Sequence, residues 1–389
     1  MRFWEIDVRI GKGMLSIIIC VFLVLSLSGC WNRRELDTFS ILMGMGIDKA
    51  EELGKIQLTA QIVKPGDLKS EGGSDAKAYF TVQAIGDTVF DTVRNFTKET
   101  NRKIYLPHSQ VLIFGRDIAT EGVQKYTDFF VRDHETRLRT HVLVARGEAG
   151  KILDVESKLE KVPAVGISHL LKAQNATSEA IEVDLKQFIC RLMSKTTAPI
   201  APLIEISGEG EKETLRIPGI AVFKQDKLAG ELTGGEARGL LWVIGEIKSG
   251  IIIIDCPSGE DKISMEIIRA SSKVIPKIID DQIYITVKIE EEGHIGDQEC
   301  PDKLSLPDIK ELEQKKASVI RSEVLASLEK AQKLNTDIFG FGEAVHQKYP
   351  KQWDDLEKRW DDVFPEIEVE ILVDARVRRS GTLIESVSQ

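Results

Sequence analysis

Cysteine is scarce in this chain of 389 residues, which has five of them. Cys20 and Cys30 lie near the start, and Cys190, Cys256 and Cys300 follow at spacings that match no C-x-x-C metal-binding pair. An odd number of cysteines in so long a chain also gives no disulfide framework. We expect three buried free thiols in the body, or one disulfide with one thiol left over.

Blocks of basic residues are also missing. The chain has 52 basic and 62 acidic residues, and without the first 29 residues the balance is 49 against 60, a net charge of −11. Nucleic-acid binding needs clustered lysine and arginine, so the composition argues against a nucleic-acid partner. The same balance provides no broad electrostatic attraction to anionic lipid. With 42% hydrophobic and 29% charged residues, the composition is that of a folded globular protein.

Catalytic motifs are a third absence. His134 and Glu135 begin like the zinc motif H-E-x-x-H, but position 138 is Leu138, and neither a G-x-S-x-G elbow nor a P-loop occurs. His108, His134 and His141 are separated in the sequence, so we expect neither a metal site nor a cofactor. The sequence predicts a protein that is not an enzyme. Carboxylate pairs for glycan hydrolysis come from distant segments, so a cell-wall hydrolase stays an alternative.

The first thirty residues carry the clearest positive signal. Three basic residues precede an apolar core at 14–27, which is shorter than the roughly 20 residues that span a bilayer. Such a segment predicts a secretory signal. Residues 27–30 read LSGC, the pattern of a bacterial lipobox, in which the cysteine thiol takes up the diacylglyceryl group. We predict cleavage after Gly29 and lipidation of Cys30; an uncleaved anchor or an ordinary signal peptide is the alternative.

Hydrophobic periodicity predicts a mixed body behind this signal. Strands are predicted at 39–47, 56–62, 80–84, 111–114, 141–145, 217–223, 251–256, 263–268 and 283–289. Helices are predicted at 87–96, 118–131, 185–194, 236–247, 305–334 and 343–361, the fifth of them starting with a capping box at Ser305 and Asp308. The predicted fold class is α+β, a multi-domain extracytoplasmic body with mixed sheets packed against helices.

A change of composition near residue 205 predicts a domain boundary. The predicted division is a signal peptide at 1–29, an N-terminal α/β domain at 30–205, a β-rich middle domain at 206–300 and a C-terminal domain with a long helix at 301–389. Alternatively, 206–389 form one unit.

Three features of the body have structural interpretations. Trp353 and Trp360 lie on one face of the last predicted helix and indicate a buried aromatic stripe. The acidic run at 290–292 is interpreted as a solvated turn at the end of a strand. The charged residues at 132–139 are interpreted as exposed ion pairs, with a docking surface as the alternative.

The mature start GCWNRREL at 29–36 resembles the Ger(x)C family, the C-subunit lipoproteins of nutrient germinant receptors in endospore-forming bacteria. Asn32 stands where the family usually has aspartate. Similar segments follow in family order at 44–49, 108–115, 128–133, 339–343, 353–360 and 377–381.

The resemblance implies a non-enzymatic receptor subunit. A lipid on Cys30 would hold it at the outer face of the spore inner membrane, with A-type and B-type membrane subunits as partners and a requirement for it in germination. A stand-alone solute-binding lipoprotein is the rival besides the hydrolase. The nutrient, any contact with it, the oligomeric state and the interface residues do not follow from the sequence.

Overall fold

The computed structural model describes residues 39–68, 77–257, 259–300 and 304–378. The strands of this part are β1 Phe39–Lys49, β2 Ile56–Val63, β3 Tyr79–Gly86, β4 Lys103–Tyr105, β5 Val111–Phe114, β6 His141–Ala145, β7 Ile200–Ser207, β8 Thr214–Arg216, β9 Gly219–Lys224, β10 Lys227–Thr233, β11 Ile251–Asp255, β12 Lys262–Ile279, β13 Gln282–Gln298 and β14 Glu368–Val377.

The helices connect and cover these strands. They are α1 Pro65–Leu68, α2 Val89–Asn95, α3 Arg116–Glu121, α4 Gln124–Arg132, α5 Ala149–Asp154, α6 Pro163–Ala173, α7 Leu185–Leu192, α8 Gly235–Ile244, α9 Leu306–Lys333, α10 Phe341–Lys348, α11 Pro350–Leu356 and α12 Trp360–Val363. Short 3-10 turns lie at Phe96–Lys98, Leu106–His108, Gln174–Ala176, Gly210–Lys212, Glu357–Arg359 and Phe364–Glu366.

The strands form two mixed sheets. The first has the order β10-β9-β7-β6-β5-β1-β2-β3, with β4 beside β1 and β8 beside β7. Its central strands β1, β5, β6 and β7 are parallel, and the pairs that flank them are antiparallel. The second sheet has the order β11-β12-β13-β14, in which β13 and β14 are parallel and the other pairs antiparallel. Mixed sheets with packed helices confirm the predicted α+β class.

The centre of the first sheet is buried on both faces. All four residues of β5, with the sequence VLIF, are buried. Val111 and Ile113 pack into one hydrophobic cluster, and Leu112 and Phe114 pack into another. A strand that is covered on both faces needs apolar residues at successive positions, which explains the absence of alternation here.

The second sheet buries one face. In β13 the residues Ile283, Ile285, Val287 and Ile289 are buried, while the residues between them are more exposed. Helix α9 contacts β11 and β14, and α8 contacts β12 and packs against α9. The alternation of β13 is typical of a sheet with one face on the core and the other toward solvent.

Several local predictions are confirmed. The strands predicted at 39–47 and 56–62 are present as β1 and β2, which pair as an antiparallel hairpin with Ile47 opposite Leu58. The capping box at the start of α9 is present, because the Ser305 side chain accepts from the N–H of Asp308 while Ser305 N donates to Asp308 Oδ2 at 2.7 Å. Helix α9 ends at Lys333, one residue from the predicted end.

Two predicted helices are wrong as single elements. The helix at 118–131 is divided into α3 and α4, because Gly122 has a φ of +128°, outside the helical range. The helix at 343–361 is interrupted at Pro350, which starts α11 and has no N–H to continue α10. Trp353 and Trp360 still form the predicted buried contact, with ring centroids 5.1 Å apart.

The β12–β13 hairpin is longer than predicted. Its strands have 18 and 17 residues, so the acidic run at 290–292 lies inside β13 and the prediction of a solvated turn is wrong. The side chain of Glu291 is fully buried. The prediction failed because it assumed that three consecutive carboxylates must all be hydrated, whereas a strand sends alternate side chains to opposite faces.

The expectation of three buried free thiols is also wrong. Cys256 and Cys300 form a disulfide with a Cα–Cα distance of 5.8 Å, and Cys190 is an exposed free thiol. The bridged cysteines are 44 positions apart, and the segment between them contains the β12–β13 hairpin, which brings Cys300 back beside Cys256. The alternative of one bridge and one remaining thiol is the arrangement found.

Candidate functional site

A cavity of about 640 Å³ lies at the carboxyl ends of the parallel strands β1, β5, β6 and β7, and we call it the carboxyl-edge cavity. In open α/β sheets ligands bind at this edge, where the strand order reverses. Here the chain leaves β1 toward β2 and β3 and later returns to β5 on the other side of β1. The lining residues are Asp48, Lys49, Glu51, Gln57, Arg116, Asp117, Arg146, Gly147, Glu148, Lys151, Ile152, Glu205 and Ile206.

Asp48 is the buried acid of this cavity. Its Oδ1 accepts a hydrogen bond from the N–H of Ala149 at 2.7 Å, and its Oδ2 accepts one from Gly150 at 2.8 Å. Burial raises the pKa of the Asp48 carboxyl, and the two amides oppose that shift. Because a carboxylate of the chain already occupies these two amides of α5, they are not available to a phosphate.

Arg146 lies between two carboxylates in the cavity wall. Its Nη1 is 2.7 Å from Glu205 Oε2, and its Nη2 is 2.8 Å from Glu231 Oε2. Glu231 also pairs with Arg116 at 2.9 Å, and Glu205 pairs with Arg216. These groups satisfy one another and bind the strand ends together. The mixture of signs suits a polar ligand that carries both charges better than a simple ion.

A second concavity, of about 620 Å³, lies between α2 and α4, and we call it the α2–α4 groove. Phe90 of α2 faces Phe129 of α4, with ring centroids 5.8 Å apart. Phe90 is 51% exposed, whereas Val89, Ile104 and Leu106 are buried, so the exposed apolar surface of the groove is centred on the Phe90 ring. The lining residues are Thr88, Val89, Phe90, Val93, Arg94, Thr97, Lys103, Ile104, Leu106, Lys125, Asp128, Phe129, Arg132, Asp133, His134 and Glu135.

Each wall of the α2–α4 groove carries a cation. The guanidinium of Arg94 lies 5.0 Å from the ring centre of Phe90, and Lys125 Nζ lies 4.7 Å from that of Tyr126. Neither Arg94 nor Lys125 forms an ion pair with a described residue. Arg94 and Lys125 therefore add positive charge to a groove whose lining also contains the carboxylates of Asp128, Asp133 and Glu135.

The charged residues predicted at 132–139 begin at the rim of this groove. Arg132 Nε lies 2.7 Å from Asp128 Oδ2, and the two side chains are 78% and 59% exposed. Lys103 Nζ lies 2.6 Å from Glu135 Oε1. Exposed pairs contribute roughly 0–1 kcal/mol, so they shape the rim more than they stabilise the fold.

A buried ion pair, which was not predicted from the sequence, links α9 to the second sheet. Lys316 Nζ lies 2.7 Å from Glu291 Oε2, and both side chains are fully buried. The ammonium also donates to the carbonyl oxygen of Arg376 in β14 at 2.8 Å. Burial raises the pKa of Glu291, and Lys316 opposes that shift. The alternation of β13, which puts position 291 on the face of Ile289, was the signal that could have found it.

Asp337 is a third buried acid, and it caps α10. Its Oδ1 accepts from the N–H groups of Gly340 at 2.9 Å and Phe341 at 3.1 Å, and its Oδ2 accepts from Gly342 at 2.7 Å. Burial raises the pKa of Asp337 to about 6 against the opposing effect of these amides. The position of this carboxylate therefore fixes the start of α10.

The candidate site residues of the sequence analysis are not brought together. Cys30, the predicted lipidation site, lies outside the described residues. His134 lines the α2–α4 groove, His108 lies in a 3-10 turn and His141 begins β6. Among the residues that the structure describes, no three His, Cys, Asp or Glu side chains are placed to hold a metal ion. The described helices include none with the length and apolar character of a membrane span.

Two family models match the chain on either side of residue 206. The model for the spore germination protein N-terminal domain matches residues 32–206, and the model for spore germination B3/GerAC like, C-terminal, matches 218–381. The chain belongs to the Ger(x)C family of spore germination proteins. The family assignment agrees with the resemblance of the segments between 29 and 381, and it places the chain among proteins of spore germination.

Relatives in this family match the chain from end to end. Spore germination protein KC of Bacillus subtilis (strain 168) is 25% identical over 395 residues, covering 96% of this chain and 97% of the relative. Putative spore germination protein YfkR of the same organism is 26% identical over 388 residues, covering 97% and 99%. The crystal structure of the GerBC protein aligns with a TM-score of 0.55 at 17% identity, covering 86% of this chain and 96% of that one, which shows a shared fold.

Proposed function

We propose that this chain is the lipid-anchored, non-enzymatic C subunit of a nutrient germinant receptor and is required for that receptor in spore germination. The observation that carries this function is the end-to-end match with spore germination proteins, which includes both halves of the chain. A match of this extent supports a shared role for the whole chain rather than for a single borrowed domain.

The proposed location is the outer face of the spore inner membrane, beside A-type and B-type membrane subunits. The lipobox at 27–30 supports a diacylglyceryl anchor on Cys30, since two acyl chains hold a protein stably at a bilayer. Cys30 and Leu42 of β1 are twelve positions apart, so the chain between them spans at most about 43 Å when extended. Confinement to this layer raises the effective concentration of the subunit beside its partners.

The contacts made by Asp48, Asp337 and Arg146 in the described part of the chain support a non-enzymatic role. Asp48 and Asp337 hold backbone amides at helix starts, and Arg146 lies between two carboxylates. A general acid or base must be within reach of its substrate and free to exchange a proton with it. These groups are instead engaged in holding the fold together.

Anchor and partnership can be tested together in sporulating cells. Wild type and Cys30→Ala are expressed beside tagged A-type and B-type subunits, spore membranes are isolated, and the tagged subunits are pulled down. We expect wild type in the membrane with both subunits, and Cys30→Ala lost from the membrane with nutrient-triggered germination impaired. Cys190→Ala, which removes the exposed thiol, is the matched control and should behave like wild type. A wild-type protein that is anchored but pulls down neither subunit would refute the receptor role.

A stand-alone solute-binding lipoprotein is the second candidate, and the carboxyl-edge cavity favours it. The volume of about 640 Å³ and the charges of both signs fit a small zwitterionic solute. Calorimetry with such solutes on a lipid-free body, residues 31–389, separates the two functions. Micromolar binding without partners favours solute binding, and absence of heat favours the receptor subunit.

We also propose that residues 206–389 are not divided at 300, which was the alternative to a boundary there: the part after β10 forms one folding unit around the second sheet, whereas β8, β9 and β10 belong to the first sheet. The parallel pairing of β13 with β14 and the packing of α8 against α9 support this unit. The boundary near 205 remains a prediction. Limited proteolysis tests both, since cleavage near 300 that released separately folded fragments would contradict the single unit.

A further inference from the structure

We infer that the α2–α4 groove is the docking site for an amphipathic helix of a membrane-embedded partner subunit, with apolar side chains facing the groove and acidic residues at its flanks. This inference deepens the proposed function and rests on it. The occupant is defined by its chemistry: three or four apolar residues at i, i+3 or i+4, and i+7, with carboxylates near the two groove walls.

The apolar character of the groove is the first argument. Phe90 is half exposed and lies beside Phe129 with the ring planes tilted, and Val93, Ile104 and Leu106 add to the apolar lining. Contiguous apolar surface of this kind marks interaction sites on soluble proteins, and aromatic side chains in pockets are frequent anchors of interfaces. The concave shape fits a protruding helix, whereas a flat bilayer surface would leave the groove unfilled.

Charge complementarity is the second argument. Arg94 on α2 and Lys125 on α4 have no ion-pair partner among the described residues, and they stand on opposite walls. By contrast, Arg132 and Lys103 at the rim already pair with carboxylates of the chain. Two cations without a direct ion pair therefore favour acidic residues on the occupant, one toward each wall.

The position of the groove is the third argument. Leu106 lines the groove and also, with Leu42 of β1, a small neighbouring cavity, so the groove lies close to the beginning of β1. The chain between the anchor proposed at Cys30 and Leu42 spans at most about 43 Å. An anchor at Cys30 would therefore limit the distance between the groove and the bilayer, and a membrane subunit is the partner that such an anchor favours.

Site-specific photocrosslinking of the full-length lipoprotein in sporulating cells tests the groove. A benzophenone amino acid replaces Phe90 in one strain and Leu159, which is 95% exposed outside the groove, in a matched control strain. Both strains carry tagged A-type and B-type subunits. We expect a crosslink from position 90 to one of these subunits, with peptide mapping to an amphipathic segment, and no such crosslink from position 159. A crosslink from position 90 to lipid, or to a second copy of the chain, would overturn the inference.

Substitution gives an independent measurement. Phe90→Glu places a carboxylate in the apolar groove and should reduce recovery of the partner subunit about tenfold or more, while Leu159→Glu should leave it unchanged. The milder Arg94→Gln with Lys125→Gln keeps the apolar lining and should make partner recovery less sensitive to salt. Normal recovery with Phe90→Glu refutes docking in the groove but keeps the receptor role. Loss of both subunits from wild type refutes the receptor role itself.

Discussion

The two sheets bury their carboxylates by different means. At the edge of the first sheet, Asp48 accepts from two backbone amides of α5. In the second sheet, Glu291 faces the ammonium of Lys316 with no solvent exposure on either side. Backbone amides remain when a neighbouring side chain is replaced, whereas a counter-ion does not. The second sheet is therefore the more vulnerable region to single substitutions.

The overall charge differs between the same regions. Residues 30–205 contain 24 basic and 24 acidic residues, whereas residues 206–389 contain 25 and 36. The net charge of the chain thus resides almost wholly in the C-terminal half. A buried lysine in that half neutralises one of its carboxylates where water cannot do so.

Loss of the buried cation should give the largest effect. Lys316→Met leaves Glu291 without its counter-ion and should lower the free energy of unfolding by about 3–5 kcal/mol at neutral pH. Denaturant titration of the lipid-free body measures this loss. The loss should shrink as the pH falls and Glu291 becomes protonated. The double variant Lys316→Met with Glu291→Leu should recover most of the stability, and a double variant as unstable as the single one would show that the pair is not the cause.

The disulfide should come next, because it closes the same sheet. Replacing Cys256 and Cys300 by serine removes a link between residues 44 positions apart and should lower the free energy of unfolding by about 2–4 kcal/mol. Reducing agent should abolish the difference from wild type. Cys190→Ser, at the exposed free thiol, is the control, and an equal loss in that variant would contradict the assignment.

The pH dependence of stability should report on Asp337. Its pKa of about 6 in the folded state lies above the ordinary value of 3.8, so the proton favours folding. The contribution is complete below pH 4 and is lost as the pH rises through 6, at about 1.4 kcal/mol per pKa unit. Asp337→Asn should flatten the dependence of the unfolding free energy between pH 4 and 7. Asp308→Asn, at the exposed capping box of α9, should retain it.

The smallest of these effects is expected in the first sheet. Asp48→Asn keeps one acceptor oxygen but places an amide group against an N–H of α5, which should cost about 1–2 kcal/mol. Denaturant unfolding followed by tryptophan fluorescence gives the value. A loss of stability as large as that of Lys316→Met would contradict the conclusion that the second sheet is more vulnerable to single substitutions than the first.

Local structure could be predicted from the sequence where the residues that determine it lie close together in the chain. The run VLIF of β5 and the capping box at Ser305 lie within a few residues, and both were predicted. Gly122 and Pro350 were also readable, and the two continuous helices were predicted wrongly because apolar spacing was given more weight than these breakers.

Features formed by segments that are distant in the sequence could not be predicted from it. Periodicity shows which face of an element is buried, but it does not show which element covers that face. The pairing of Glu291 with Lys316, the bridge between Cys256 and Cys300, and the α2–α4 groove all join residues that are 25 to 44 positions apart. Each depends on how the β12–β13 hairpin or the α2 and α4 helices meet in space.

Helix α9 is fastened at two points on one stripe. Lys316 engages Glu291 and the backbone of β14, and Glu323, seven residues later, accepts from Arg238 and from Trp242 Nε1 at 2.8 Å. Seven residues are about two helical turns, or roughly 10 Å along the axis. If α9 moved along its axis by one turn, about 5.4 Å, Lys316 and Glu323 would both lose contact with their partners. A movement of α9 can therefore keep these contacts only if α8 and the second sheet move together with the helix. A displacement of α9 along its own axis would break them.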